Sequence, residues 1–114
     1  MNTKLLEKVR DHIAAEPDSW TFQWFNDHEC GTRACIGGRA MLLSGISPRK
    51  IRRPELLEKE YGTSTRAEIA EKLLGLDFDQ AERLFYFWPE PFDELDPKSA
   101  VDRIDHFIKT DGAE

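Results

Sequence analysis

The chain is poor in the features that mark several common classes. Two cysteines in 114 residues are too few for the disulfide-dense scaffolds of small secreted domains. No apolar run approaches the ~20 residues needed to span a bilayer. The first seventeen residues, Met1 to Pro17, are charged throughout, unlike a secretion signal. Basic side chains are outnumbered, 16 Lys and Arg against 22 Asp and Glu, leaving a net charge of −6. A field of that sign repels nucleic acid and anionic membranes. No internal repeat or low-complexity tract interrupts the chain. No glycine-rich loop ends in Lys-Ser/Thr, so an ATPase is not supported. These absences leave a soluble acidic protein, expected in the cytoplasm, with no membrane attachment and no implied cofactor.

Aromatics are plentiful: seven Phe, three Trp and two Tyr. With 39% hydrophobic residues overall, that is enough to build a core despite the charge. The length fits one domain covering residues 1–114, with a radius of gyration of about 13 Å. The charge is uneven. Residues 1–46 sum to −1, residues 47–53 to +4 and residues 54–114 to −9. The basic stretch contains Arg49, Lys50, Arg52 and Arg53 with no acid among them. It reads first as a solvated loop between helices and second as a contact for an anion or nucleic acid.

The periodicity predicts an all-α globule of five or six short helices. The first runs from about Thr3 to Ala15, with Leu6, Val9 and Ile13 on one face. Trp20 to Phe25 is an aromatic connection. A helix from Arg33 to about Ser44 follows, with Thr32 as its N-cap and Gly45 closing it. Gly37 and Gly38 inside it cost about 1 kcal/mol each relative to alanine, and close packing by the preceding aromatics is the expected compensation. Further helices are expected over Glu55–Tyr61, from Thr63 or Ser64 to Leu74, from Asp77 or Asp79 towards Trp88, and from Pro97 onwards. Gly62, Gly75 and Pro89 stop the first three. Ala67, Ala70, Leu73 and Leu74 form one expected inner face, and Ala100, Val101, Ile104, Phe107 and Ile108 another.

Trp20-x-x-Gln23, followed by Cys30-Gly31-Thr32-x-x-Cys35-Ile36-Gly37-Gly38, resembles a motif of small bacterial and phage proteins of unknown function. In that motif a Trp-x-x-Gln element precedes Cys-Gly-Thr-x-x-Cys, an aliphatic or aromatic residue, a small residue and Gly. The stretch Leu73-Leu74-Gly75-Leu76, with Ala81-x-x-Leu84-Phe85 and Trp88-Pro89, is similar too. Gly37 stands where alanine is the commoner residue. The resemblance covers less than half of the chain. It implies a shared fold and motif, and carries no catalytic residues.

The motif Trp20, Gln23, Trp24, Cys30, Gly31, Thr32, Cys35, Gly37 and Gly38 is read first as structural, with the cysteines as small buried hydrophobes. A Cys30–Cys35 bridge is a variant. Three chemical readings stand beside it. With Thr32 as N-cap, Cys35 is the third residue of the helix, where the helix N-terminus lowers a thiol pKa, as in a redox protein or hydrolase. His106 or His28 would then have to serve as the base. His28, Cys30 and Cys35 supply three soft metal ligands, one short of a structural zinc site, and no metal is expected. Free N–H groups from Gly31 to Ala34, with Arg33 and Arg39 nearby, offer an anion site. A superficial helix-turn-helix over Ile69–Phe87 would present Asp79 and Glu82 to phosphates, so a plain helical hairpin is the better reading. Taken together, the sequence points to a small non-enzymatic protein-interaction or regulatory module. Another protein is the expected partner, and nucleic acid is disfavoured by the charge.

Overall fold

The computed structural model describes residues 1–22 and 34–114. Those residues form seven α-helices and one 3-10 turn. The fold is all-α, with a helix count slightly above expectation. Its radius of gyration is 13.1 Å.

Helix α1, Thr3–Ala15, forms where expected and buries Leu5, Leu6, Val9 and Ile13. The Asn2 side chain accepts from the Leu5 N–H at 3.1 Å and caps it. The 3-10 turn, Pro17–Ser19, leads to Trp20. Trp20 and Ala34 form an isolated parallel bridge, in which the Ala34 N–H donates to the Ser19 carbonyl at 3.1 Å. Helix α2 is Ile36–Leu43, and its N-cap is Cys35. The expected start at Arg33 is therefore corrected by three residues. Ala34 is engaged in the bridge, and Cys35 has extended backbone, φ −76° and ψ −174°. Helical geometry cannot begin before such a residue.

The basic stretch is a helical turn. Helix α3, Pro48–Ile51, is capped by Ser47, whose side chain accepts from the Lys50 N–H. Helix α4, Pro54–Tyr61, follows and ends at Gly62 with φ +77°. Helix α5, Arg66–Leu74, ends at Gly75 with φ +64°. There Met1 and Asn2 backbone atoms would lie 3.2–3.3 Å from any Cβ. Gly75 is thus fixed twice, by its left-handed conformation and by the close passage of the N-terminal segment. Helix α6, Phe78–Phe85, opens with a full capping box between Asp77 and Gln80. It stops three residues short of Trp88, because the N–H groups of Tyr86 and Phe87 both close on the Glu82 carbonyl. Helix α7 is Pro97–Lys109, with Asp96 as its cap.

Helix α1 packs chiefly on α7, and α2 on α5. Leu6, Val9, Ile13, Ile36, Leu57, Leu74, Leu84, Ile104 and Phe107 are fully enclosed. The inner face of α5 carries Ile69, Ala70 and Leu74, while Ala67 and Leu73 are half-buried. The buried face is therefore turned towards Ile69, and of the expected inner residues Ala67 and Leu73 are only partly covered. On α7, Ala100, Ile104 and Phe107 are buried and Val101 and Ile108 are partly so. Arg10 of α1 bridges to Asp105 of α7 at 2.8 Å across the rim of this packing.

Candidate functional site

The Cys-Gly-Thr corner enters the structure only through Cys35. Gln23, Trp24, His28, Cys30, Gly31, Thr32 and Arg33 lie outside the described residues. Cys35 is a free, buried thiol. Its sulfur accepts from the Gly38 N–H at 3.4 Å and so caps α2. This corrects the expected position at the third residue of the helix and the low pKa that position implied. Burial pushes the Cys35 thiol up to about 11, and its hydrogen bonds from Gly38 and Gly37 offset this only in part. The thiolate is the nucleophile in cysteine chemistry, so burial works against activation of this sulfur at neutral pH. His106, one of the expected bases, lies against the Phe92 ring at 5.7 Å. Gly37 and Gly38 are both buried at the start of α2. Trp20 stacks on Trp88, centroids 5.9 Å apart, and its indole N–H donates to the Glu94 carbonyl at 3.0 Å.

Arg39, expected as an anion contact, is completely buried. Its guanidinium donates to the Ser19 carbonyl at 2.7 Å, the Ala34 carbonyl at 2.8 Å and the Ser19 hydroxyl at 2.8 Å. It also meets His12 Nδ1 at 2.7 Å. Arginine only donates, so His12 must accept through Nδ1 and be neutral. Burial and the adjacent guanidinium both lower the His12 pKa, and Glu16 opposes them. Burial also lowers the Arg39 pKa to about 10, which still leaves the group charged at neutral pH. Among the described residues no carboxylate pairs with it. Arg39 ties Ser19 to Ala34 across the two sides of the intervening segment and is a structural cation.

A second interior cation was not foreseen. Arg103 of α7 is fully buried, lies over the Phe92 and Phe107 rings at 5.5 and 5.7 Å, and donates to the Arg83 carbonyl at 3.2 Å. Its Nε and Nη1 have no acceptor among the described residues. The only sequence signal was its place two residues after Val101 and one before Ile104, on the inner side of an otherwise apolar stripe.

The basic stretch divides. Lys50 is committed to Glu60 at 2.5 Å, a contact that raises its pKa. Arg49, Arg52 and Arg53 line a hollow of about 450 Å³ together with Glu55. Arg53 meets Glu55 at 3.7 Å with both side chains more than half exposed, a geometry that contributes little.

The opposite chemistry lies between α5 and α6. A groove of about 460 Å³ is lined by Phe78, Ala81, Phe85 and Tyr86, with Glu68, Glu71, Glu82 and Lys72 among its other walls. Phe78 is 66% exposed, and so is Phe87, just beyond the helix end. The sequence marked this region as a core hairpin. Its signal was the pair of aromatics, Phe78 and Phe87, that fall outside the apolar stripe of Ala81, Leu84 and Phe85.

Among the described residues no helix is long and apolar enough to cross a membrane. No protein-family model, no curated protein and no solved structure matches this chain.

Proposed function

We propose that this chain is a non-enzymatic protein-interaction module, and that the α5–α6 groove is its binding face. The observation that carries this reading is the combination of Phe78, two-thirds exposed, with three carboxylates around one hollow. Covering a fully exposed Phe is worth about 1.5–3 kcal/mol, so Phe78 is held in water at a real cost. Apolar anchors with charged surroundings are the usual anatomy of a protein-binding patch. Glu68, Glu71 and Glu82 select a basic partner by electrostatic complementarity. An amphipathic helix with apolar residues on one face and Arg or Lys flanking them fits a groove between two helices. The buried Cys35 thiol, held towards its protonated form, supports a binding role over an enzyme that uses Cys35 as its nucleophile.

The test is an NMR titration of the ¹⁵N-labelled chain with a synthetic amphipathic peptide bearing Leu on one face and Arg on the other. Saturable shifts are expected at Ala67–Lys72 and Phe78–Tyr86. Phe78→Ser and Glu71→Lys should each weaken binding about tenfold, equivalent to 1.4 kcal/mol. A matched Leu/Glu peptide should not bind. Shifts confined to other surfaces, or equal binding of both peptides, reject the reading.

A further inference from the structure

We infer that the hollow formed by Arg49, Arg52 and Arg53 is a second site of opposite chemistry, which binds the phosphoryl group of a small phosphorylated molecule. Three observations converge. First, among the described residues three guanidiniums and one carboxylate line a single open hollow of about 450 Å³. Second, Arg52 Nη1 is shielded from solvent and has no hydrogen-bond acceptor. A donor left in that state carries its full desolvation cost, which a small turn of the half-buried Arg52 side chain towards an anion in the hollow would relieve. Third, the backbone that presents these side chains is held in place. Ile51 is 1% exposed, the Ser47 side chain caps the turn, and Arg52 N–H closes on the Pro48 carbonyl at 3.1 Å.

The residue type also matters. Guanidinium binds phosphate in a planar, two-pronged geometry that an ammonium cannot reproduce. The one lysine of the stretch is diverted to Glu60, and the arginines remain. Glu55, the one acid among the described residues of the hollow, is held by Arg53 at 3.7 Å, a loose contact that a dianion can displace. The size of the positive patch sets the class of ligand. It is one turn of helix and its flank, while residues 54–114 sum to −9. A nucleic-acid backbone needs a broader basic footprint and would meet that negative field along its length. A compact phosphate ester or diphosphate meets only the arginines.

The experiment follows the arginine side-chain Nε–H signals by NMR during titration with inorganic pyrophosphate, a 5′-mononucleotide, the matching nucleoside and a single-stranded oligonucleotide. Saturable shifts of Arg49, Arg52 and Arg53 are expected with pyrophosphate and the mononucleotide, and none with the nucleoside. Arg52→Gln and the more exposed Arg49→Gln should each raise the Kd at least about tenfold, while Lys50→Gln changes it less than about twofold. The inference is overturned if neither pyrophosphate nor the mononucleotide saturates these signals below about 10 mM. Binding of the oligonucleotide alone would likewise replace it with a nucleic-acid interface. Affinity that survives both arginine substitutions places any site elsewhere.

Discussion

Arg39→Lys preserves the charge of the buried cation and discards its shape. In the native chain the guanidinium serves four acceptors at 2.7–2.8 Å around a side chain with no solvent exposure. Two of those acceptors are backbone carbonyls, of Ser19 and Ala34, and they lie on opposite sides of the segment between Phe22 and Ala34. An ammonium has three donors on one atom and cannot reach partners arranged around a planar fork. At least two of the four contacts are lost, while the cost of burying a positive charge remains. Hydrogen bonds to charged groups are worth about 1.5–3 kcal/mol each, so the variant should lose about 3–6 kcal/mol. Domains of this size have only about 5–15 kcal/mol in total. At the entropy of unfolding for this length, each kcal/mol moves the midpoint by about 4 °C, giving a drop of about 12–24 °C. Urea unfolding followed by far-UV circular dichroism, with an unchanged m-value, measures the difference directly. If Arg39→Lys lies within about 1 kcal/mol of the native chain, the four-acceptor account of this cation is wrong.

Two further outcomes follow from the same cluster. The native state needs His12 neutral, and its pKa lies below the ordinary 6.5, so the unfolded chain binds the extra proton first. Stability is then complete above pH 6.5 and falls as pH drops below it, by at most about 1.4 kcal/mol per pH unit. Urea midpoints at pH 7.5 and 5.5 should converge in His12→Asn, which keeps an acceptor and does not titrate; an equal fall in the variant and the native chain would remove His12 as the cause. The buried Cys35 thiol, pushed up to about 11, should resist iodoacetamide at pH 7.5 in the folded chain and react readily in urea, as read by peptide mass spectrometry. Rapid labelling of Cys35 in the folded state would contradict its burial.

Much of the helical framework was legible because its punctuation is local. Asp77, one of the two starts the sequence offered for α6, and Gly62, Gly75 and Pro97 each act through their own backbone neighbours, and each marks a helix boundary. The start of α2 was displaced because the pairing of Ala34 with Trp20 is a tertiary contact. It makes Cys35 the cap and denies Thr32 that position. Helix α3 escaped notice because one turn has no periodicity to read. The site residues were less legible than the helices. Nothing within α2 distinguishes Arg39 from a surface arginine. Its burial depends on carbonyls that sequence separation of 20 and 5 residues brings together. The same holds for Arg103, whose aromatic surroundings come from Phe92 and Phe107. Phe78 lies outside the stripe of Ala81, Leu84 and Phe85, but its place in the wall of a groove depends on how α5 and α6 pack.

The two interior guanidiniums change what an approaching molecule meets. From a distance the protein is a body of charge −6, and Arg39 and Arg103 contribute to that total wherever they sit. At touching distance they are out of reach, both fully enclosed. The skin of the protein therefore has two fewer cations than its formula suggests, and among the described residues its carboxylates outnumber the available positive groups by seven. A visitor carrying lysines or arginines finds more unclaimed acid than the isoelectric point implies, and ionic strength should govern its arrival more steeply than the net charge alone would indicate.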